Sequence, residues 1–365
     1  MGARKLALVS ALFPLGLMLA AAPASASAPQ TYVVGVDGIG PKNHNFEFVD
    51  YFPRALTVHQ GDVIDFKWSL TPDGLHTATL LPSGQAPPGL VVPDETEGVQ
   101  FNPSVLAPSD FTCGGAVNPC DYNGSRIVSS GALPTVPGID FFAKIDTAPG
   151  STVNLICEIH PGMAATIKVV DNGTRTPSPA WVAAKGRAQL RSDIHGALET
   201  IEDLNGSLVK ENPDGTHTVT LIAGAATQHV EIAEMLPSKL RIQVGDTVKF
   251  ITKTLKDPHT VTFPQGHGSD AVDPLVPACE GSPADTAPPC GSPPLQELHL
   301  VPQPQGPTVI SSPGTVASSG VIATFGPFPD RYSFTFPNAG TFAYQCRIHD
   351  HMTGTIIVNS AGESD

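Results

Sequence analysis

Cys157-Glu-Ile-His160-Pro-Gly-Met163 and Cys346-Arg-Ile-His349-Asp-His-Met352 share one spacing, C-x-x-H-x-x-M. Each follows an alternating apolar run, Val153, Leu155, Cys157 in the first and Phe342, Tyr344, Cys346 in the second. Such a period of two marks a half-buried strand. A Cys closing a strand, with His and Met in the tight turn beyond it, puts a thiolate, an imidazole and a thioether on one rim. A second imidazole stands upstream at a matching place in each half: His76 in Gly-Leu-His-Thr-Ala-Thr and His259 in Asp-Pro-His-Thr-Val-Thr.

The two quartets belong to an internal repeat with an offset of about 184 residues. Phe52-Pro53 through Leu56, Val58, Gly61-Asp62 and Phe66 matches Leu236-Pro237 through Leu240, Ile242, Gly245-Asp246 and Phe250. Upstream, Tyr32 to Gly38 corresponds to Thr218 to Gly224, and downstream Ser129-Ser130-Gly131 recurs as Ser318-Ser319-Gly320. Alternation, a Gly-Asp turn and renewed alternation predict an all-β chain of two tandem Greek-key β-sandwiches.

Thiolate, two imidazoles and a weak thioether make up the donor set of a type 1 copper centre. Residues 157–163 resemble the short ligand loop of amicyanin-type blue copper proteins, C-x-x-H-P-x-M. The chain is therefore similar to the cupredoxin family, as two tandem amicyanin- or plastocyanin-like domains. The resemblance implies two type 1 copper ions per chain, on His76, Cys157, His160, Met163 and on His259, Cys346, His349, Met352. It also implies one-electron transfer between redox partners, with the loop imidazoles of His160 and His349 reaching toward the surface. Zinc also suits Cys and His, but a Met fourth donor argues against it. Two departures stand out. Thr77 and Thr260 follow the upstream His where the best-known members carry Asn, and Asp350-His351 replaces Pro161-Gly162, which makes His351 a candidate pH-responsive neighbour.

Residues 1–26 read as a secretory leader: Arg4 and Lys5, an apolar stretch from Leu6 to Ala22, then Ala24-Ser25-Ala26. The expected location is exported, periplasmic or extracellular. Formal net charge is −14, and loss of Arg4 and Lys5 lowers it by two more. Such a surface repels nucleic acid and anionic membranes and would attract a basic redox partner, although acidity also simply keeps an exported protein soluble. Oligomeric state is not legible. Gly and Pro, 35 and 37 residues, form roughly a fifth of the chain, which suits turn-rich β structure with long loops.

Cys113 with Cys120, and Cys279 with Cys290, are read as two local disulfides. Domain 1 is expected over 27–172, a linker over 173–208, domain 2 over 209–360 and a tail over 361–365. Within the linker Leu190, Ile194, Ala197, Leu198, Ile201 and Leu204 recur at helical spacing from Pro179 onward. They predict an amphipathic helix that packs the sandwiches together.

Two other functional classes stay open. Copper oxidases and nitrite reductases resemble repeated cupredoxins, but their extra copper uses H-x-H pairs and a His beside the copper-binding Cys. Here Ile156, Glu158, Gln345 and Arg347 flank the cysteines, and the one H-x-H is His349-Asp-His351. An interface copper on His44, His59, His217, His229, His267 or His299 would lack that spacing. Copper storage favours Met-rich tracts, and the chain has five Met in all. No catalytic residue is assigned, and an electron carrier is the expectation.

Overall fold

The runs around each Gly-Asp turn become strands: Ala55–His59 and Val63–Trp68 in the first half, Lys239–Gln243 and Thr247–Lys253 in the second. Gly61 and Gly245 sit at φ +92° and +93°, where a side chain would be strained. Each following Asp ties the turn down. Asp62 accepts the amide protons of Gln30 and His59, both at 2.8 Å, and Asp246 accepts those of His217 at 2.6 Å and Gln243 at 2.8 Å. The repeated Gly-Asp is thus one local device used twice.

The computed structural model describes residues 28–68, 75–94, 98–132, 140–160, 162–266, 275–277, 298–300, 304, 306–326, 328–349 and 351–360. The leader 1–26, the Cys279–Cys290 pair and the tail 361–365 lie outside the described residues.

Each half is a sandwich of two sheets. In the first, one sheet runs Tyr51–Phe52, Thr31–Val36, Val63–Trp68, Asp140–Ile145, Cys120–Tyr122. Its partner runs Val128–Ser129, Thr79–Leu81, Thr152–Ile156, Ala164–Val170, Ala55–His59. Tyr32, Ile64, Phe66, Leu80, Leu155 and Val169 fill the space between them. The second half repeats the plan, with Lys239–Gln243, Thr353–Asn359, Gly340–Gln345, Thr262–Phe263 and Ala317–Ser318 as one sheet. Leu221, Phe250, Phe263, Phe334, Phe342 and Tyr344 form its core. Each such buried side chain contributes about 1.5–3 kcal/mol through apolar burial.

The other sheet of the second half crosses the repeat boundary. It runs Phe46–Glu47, Glu231–Leu236, His217–Ala226, Thr247–Lys253, Arg331–Thr335, so the first half lends it an edge strand. The pairing is antiparallel, Glu47 opposite Glu231 and Phe46 opposite Ile232.

The linker helix spans Pro179–Leu204, with the Ser178 hydroxyl accepting the Trp181 amide proton and Pro179 at its first position, a favoured start. Ala197, Ile201, Leu190 and Ile194 pack with Phe46, Phe48, Phe52, Ile222, Ile232 and Leu236 in a third core between the sandwiches. The expected packing role is what the helix does. Cys113 and Cys120 form a disulfide that staples the loop before an edge strand. Among the described residues no helix is long and apolar enough to cross a membrane.

Candidate metal centres

The strand Thr152–Ile156 ends at Cys157, and the loop beyond is closed by backbone: the Cys157 amide donates to the Met163 carbonyl at 3.0 Å, and the Met163 amide to the His160 carbonyl at 3.2 Å. That closure brings His160 Nδ1 to 3.7 Å from Cys157 Sγ. His76, just ahead of the strand Thr79–Leu81, brings its Nδ1 to 3.9 Å from the same sulfur and 3.0 Å from His160 Nδ1. Met163 is buried in the same core as Cys157.

The second centre copies the first. The Cys346 amide donates to the Met352 carbonyl at 2.8 Å, and His349 Nδ1 lies 3.7 Å from Cys346 Sγ. The donor atoms of His259, Cys346 and His349 lie within 4.8 Å of one another, as do those of His76, Cys157 and His160. Both cysteines are free and buried, so neither is spent in a disulfide.

Thr77 and Thr260 do the steadying. Each backbone amide donates to the neighbouring thiolate sulfur at 3.4 Å, and each hydroxyl accepts the amide proton of the residue after the Cys, Glu158 or Arg347, at 2.8 Å. Threonine therefore clips the upstream His segment to the Cys loop in both halves. Behind it the Ser-Ser-Gly repeat acts in the same way. Ser130 and Ser319 hydroxyls accept the Ala78 and Val261 amide protons at 2.9 and 2.8 Å.

Burial alone would push the Cys157 thiol up, but His160 and His76 hold it well below its ordinary value; His259 and His349 do the same for Cys346. Burial opposes a charge on His259, yet Cys346 and Glu231 raise it to about 10. His259 Nε2 lies 3.0 Å from Glu231 Oε1, while its Nδ1 is buried without a hydrogen-bond partner. A carboxylate at Nε2 favours the proton on that nitrogen, so that a cation displacing the Nδ1 proton would be shared with the thiolate. Two imidazole nitrogens and a thiolate converging on one point in each half fit a soft, copper-type ion.

The loop imidazoles do not reach the surface. His160 is 7% and His349 5% exposed, because each faces the seam between the sandwiches. His160 Nε2 lies 3.4 Å from Glu47 Oε1 and 3.4 Å from Asp257 Oδ1. Asp257 belongs to the second half, two residues before His259. His76 Nε2 lies 3.5 Å from Glu47 and 3.9 Å from Asp37. Burial, then Asp257 beside it, push the Glu47 carboxyl well above its ordinary range; burial notwithstanding, His160, His349 and His259 hold Asp257 well below.

Glu47, Glu231, Asp37 and Asp257 are functional neighbours that the motifs did not reveal. Glu47 and Glu231 do occupy matching places in the repeat, which is the signal that would have found them. Of the other histidines, His44 pairs with Glu234, His217 with Asp246 and His229 with Asp50, while His59 meets the Thr174 carbonyl. His351 stands at φ +63° beside the second centre, lining the same small cavity as Cys346 and His349.

No protein-family model and no curated protein sequence matches the chain. Among solved structures it is similar to a Cu(I) form of an amicyanin mutant, 18% identical over 38% of this chain and 80% of that one, with a TM-score of 0.21. It is also similar to an oxidized amicyanin mutant, 19% identical over 42% of this chain and 98% of that one, TM-score 0.22. A mutant plastocyanin of fern is 15% identical over 38% of this chain and 99% of that one, TM-score 0.21.

Proposed function

We propose that the chain is an exported copper protein with two type 1 centres, one on His76, Cys157, His160 and Met163 and one on His259, Cys346, His349 and Met352, and that it carries single electrons between redox partners. One observation carries this reading: the same convergence of a buried cysteine and two imidazoles, behind the same Met-closed loop, is built twice. Copper held there would supply a one-electron couple in a donor set that suits both Cu(I) and Cu(II).

The chain's own part is to hold those donors still and dry. Thr77 and Thr260 clip the two strands of each site together, and Ile159 and Ile348 pack against the cores beside the thiolates. An acidic exported protein would meet a basic partner with an ionic-strength-dependent on-rate. An electron carrier is favoured over a copper oxidase or nitrite reductase, because no His adjoins either Cys to couple it to a further copper.

A visible spectrum with metal analysis tests this on the copper-loaded protein and on Cys157→Ser and Cys346→Ser. Two coppers per chain, and an intense thiolate-to-copper band that each substitution halves and that reduction bleaches, are expected. Colourless, copper-free protein would mean the quartets are structural.

A further inference from the structure

Three donors at the seam are left over after both centres are assembled. Glu47 Oε1, His160 Nε2 and an Asp257 carboxylate oxygen lie within 4.8 Å of one another, all on residues at least nine-tenths buried. Glu47 Oε1 and Asp257 Oδ2 have no hydrogen-bond partner among the described residues, and neither does the adjoining His76 Nε2. Glu47 Oε1 meets His160 and His76 only in ion-pair contacts of 3.4 and 3.5 Å. A buried polar atom without a hydrogen bond costs about 1–3 kcal/mol, so three in one pocket need an explanation.

Their spacing supplies one. His160 Nε2 stands 3.4 Å from both Glu47 Oε1 and Asp257 Oδ1. N–H···O bonds run to about 3.2 Å, and the repeat shows what this environment builds when a hydrogen bond is intended: His259 Nε2 to Glu231 Oε1 is 3.0 Å. A central water fits no better, since donors roughly 2.8 Å from it in tetrahedral array would stand about 4.6 Å apart. A tetrahedral metal with ligands at about 2.0–2.1 Å sets its donors roughly 3.3–3.4 Å apart.

The structure assigns a third metal position, between the two thiolate centres, to Glu47, Asp257 and the outer nitrogen of His160. One imidazole nitrogen with two carboxylate oxygens suits a divalent transition ion such as zinc, with a fourth place open to water. On binding, the Nε2 proton of His160 leaves to solvent and the ring bridges toward the thiolate side through Nδ1. Access is built in: a cleft of about 550 Å³ lined by Lys42, His44, Glu234 and His351 reaches both Glu47 and His349. The position needs both halves of the chain, because Asp257 comes from one and Glu47 and His160 from the other. Among the described residues the second half shows no copy of it. The residue at the place of Asp257 in the first half is Gly74, and Glu231 is already satisfied by His259 and the Thr254 hydroxyl.

Zinc binding tests the assignment. The copper-loaded protein is exposed to Zn²⁺, freed of excess and weighed by native mass spectrometry. One zinc beyond the coppers is expected, absent from Glu47→Gln and Asp257→Asn, each counted against its own measured copper content. The Cys157→Ser/Cys346→Ser double variant, which removes both thiolates, should still hold one zinc. That arm stands even if the chain never takes copper. Zinc K-edge absorption should show nitrogen and oxygen ligands alone. No retained zinc in the parent, retention undiminished in both seam variants, or sulfur in the zinc shell would each overturn the assignment.

Discussion

Glu47 and Glu231 stand directly opposite each other across the antiparallel ladder that joins the two halves, and they occupy matching places in the repeat. An antiparallel pair of equivalent residues lies on a local two-fold axis. The two centres therefore face one another through this pair, Glu47 touching His76 and His160 and Glu231 touching His259. Directly opposed side chains on one sheet face lie close together, and like charges there are unfavourable unless each has its own partner. The imidazoles are those partners.

The Glu231 contact sets the orientation of His259. Glu231→Ala should weaken copper binding at the second centre about 10–100-fold, the usual cost of losing a partner that orients a ligand, and leave the first unchanged. Glu231→Gln keeps an acceptor oxygen and should fall between. Chelator competition in a Cys157→Ser background, where only the second centre is coloured, reads this directly. Equal affinity in all three proteins would show that the carboxylate does not orient the ring.

Gly224 makes room for the same imidazole. A Cβ built there falls 1.9 Å from His259 Nε2, at φ +81°. Neither the ring, wedged against Glu231, nor the left-handed backbone can absorb it. Gly224→Ala should abolish the blue band of the second centre and keep that of the first, halving the absorbance of copper-loaded protein. A full-strength spectrum would refute the close approach.

Two helix glycines should respond in opposite directions. A Cβ at Gly186 would lie 2.8 Å from the Phe52 carbonyl oxygen, whereas at Gly196 it meets nothing within 4 Å. Gly196→Ala should stabilise the protein by up to about 1 kcal/mol through helix propensity. Gly186→Ala gains the same propensity but forces helix and backbone apart, at a typical overpacking cost of about 1–3 kcal/mol, so it should be neutral to destabilising. Urea midpoints of the two variants order them. The same sign and size for both would mean that the helix does not pack this closely.

Much of this was legible in the chain. The two converging His-Cys-His groups, the Gly-Asp turns, the duplicated sandwiches and the linker helix all rest on local spacing, which a sequence displays directly. The orientation of one sandwich against the other does not. It depends on Phe46–Glu47, a strand of two residues, too short to show any period. Hence the expectation that His160 and His349 point outward was reversed, and Asp257 gave no sign of serving the other half. Thr77 and Thr260 were legible as departures from the family pattern, but only their hydrogen bonds to the Cys loops show that Thr does the clipping.

A buried network at the seam sets the dependence of stability on pH. Asp50 pairs with the Arg54 guanidinium, which also holds Asp193, and with His229 Nδ1 at 3.0 Å. Burial pushes Asp50 up to about 7 against the pull of Arg54, and burial, then Arg54 and Lys256, push His229 down to about 4. In the unfolded chain these groups titrate near 3.9 and 6.5. Between pH 4 and 7 the folded state thus keeps a proton on Asp50 that the unfolded state has released, so this contribution falls as pH rises. Between pH 4 and 6.5 the unfolded state holds a proton on His229 that the folded state refuses, so that contribution rises with pH. The two slopes oppose each other. Relative to the parent, His229→Asn should lose stability from pH 4.5 to 6.5 and Asp50→Asn should gain it. One proton held by only one of the two states changes stability by at most about 1.4 kcal/mol for each pH step of one. Over this window each change should be about 1–2 kcal/mol, short of that ceiling because solvent and the neighbouring charges screen both groups. Urea midpoints at the two pH values measure it, and variants that track the parent at both would show that neither group is perturbed in the fold.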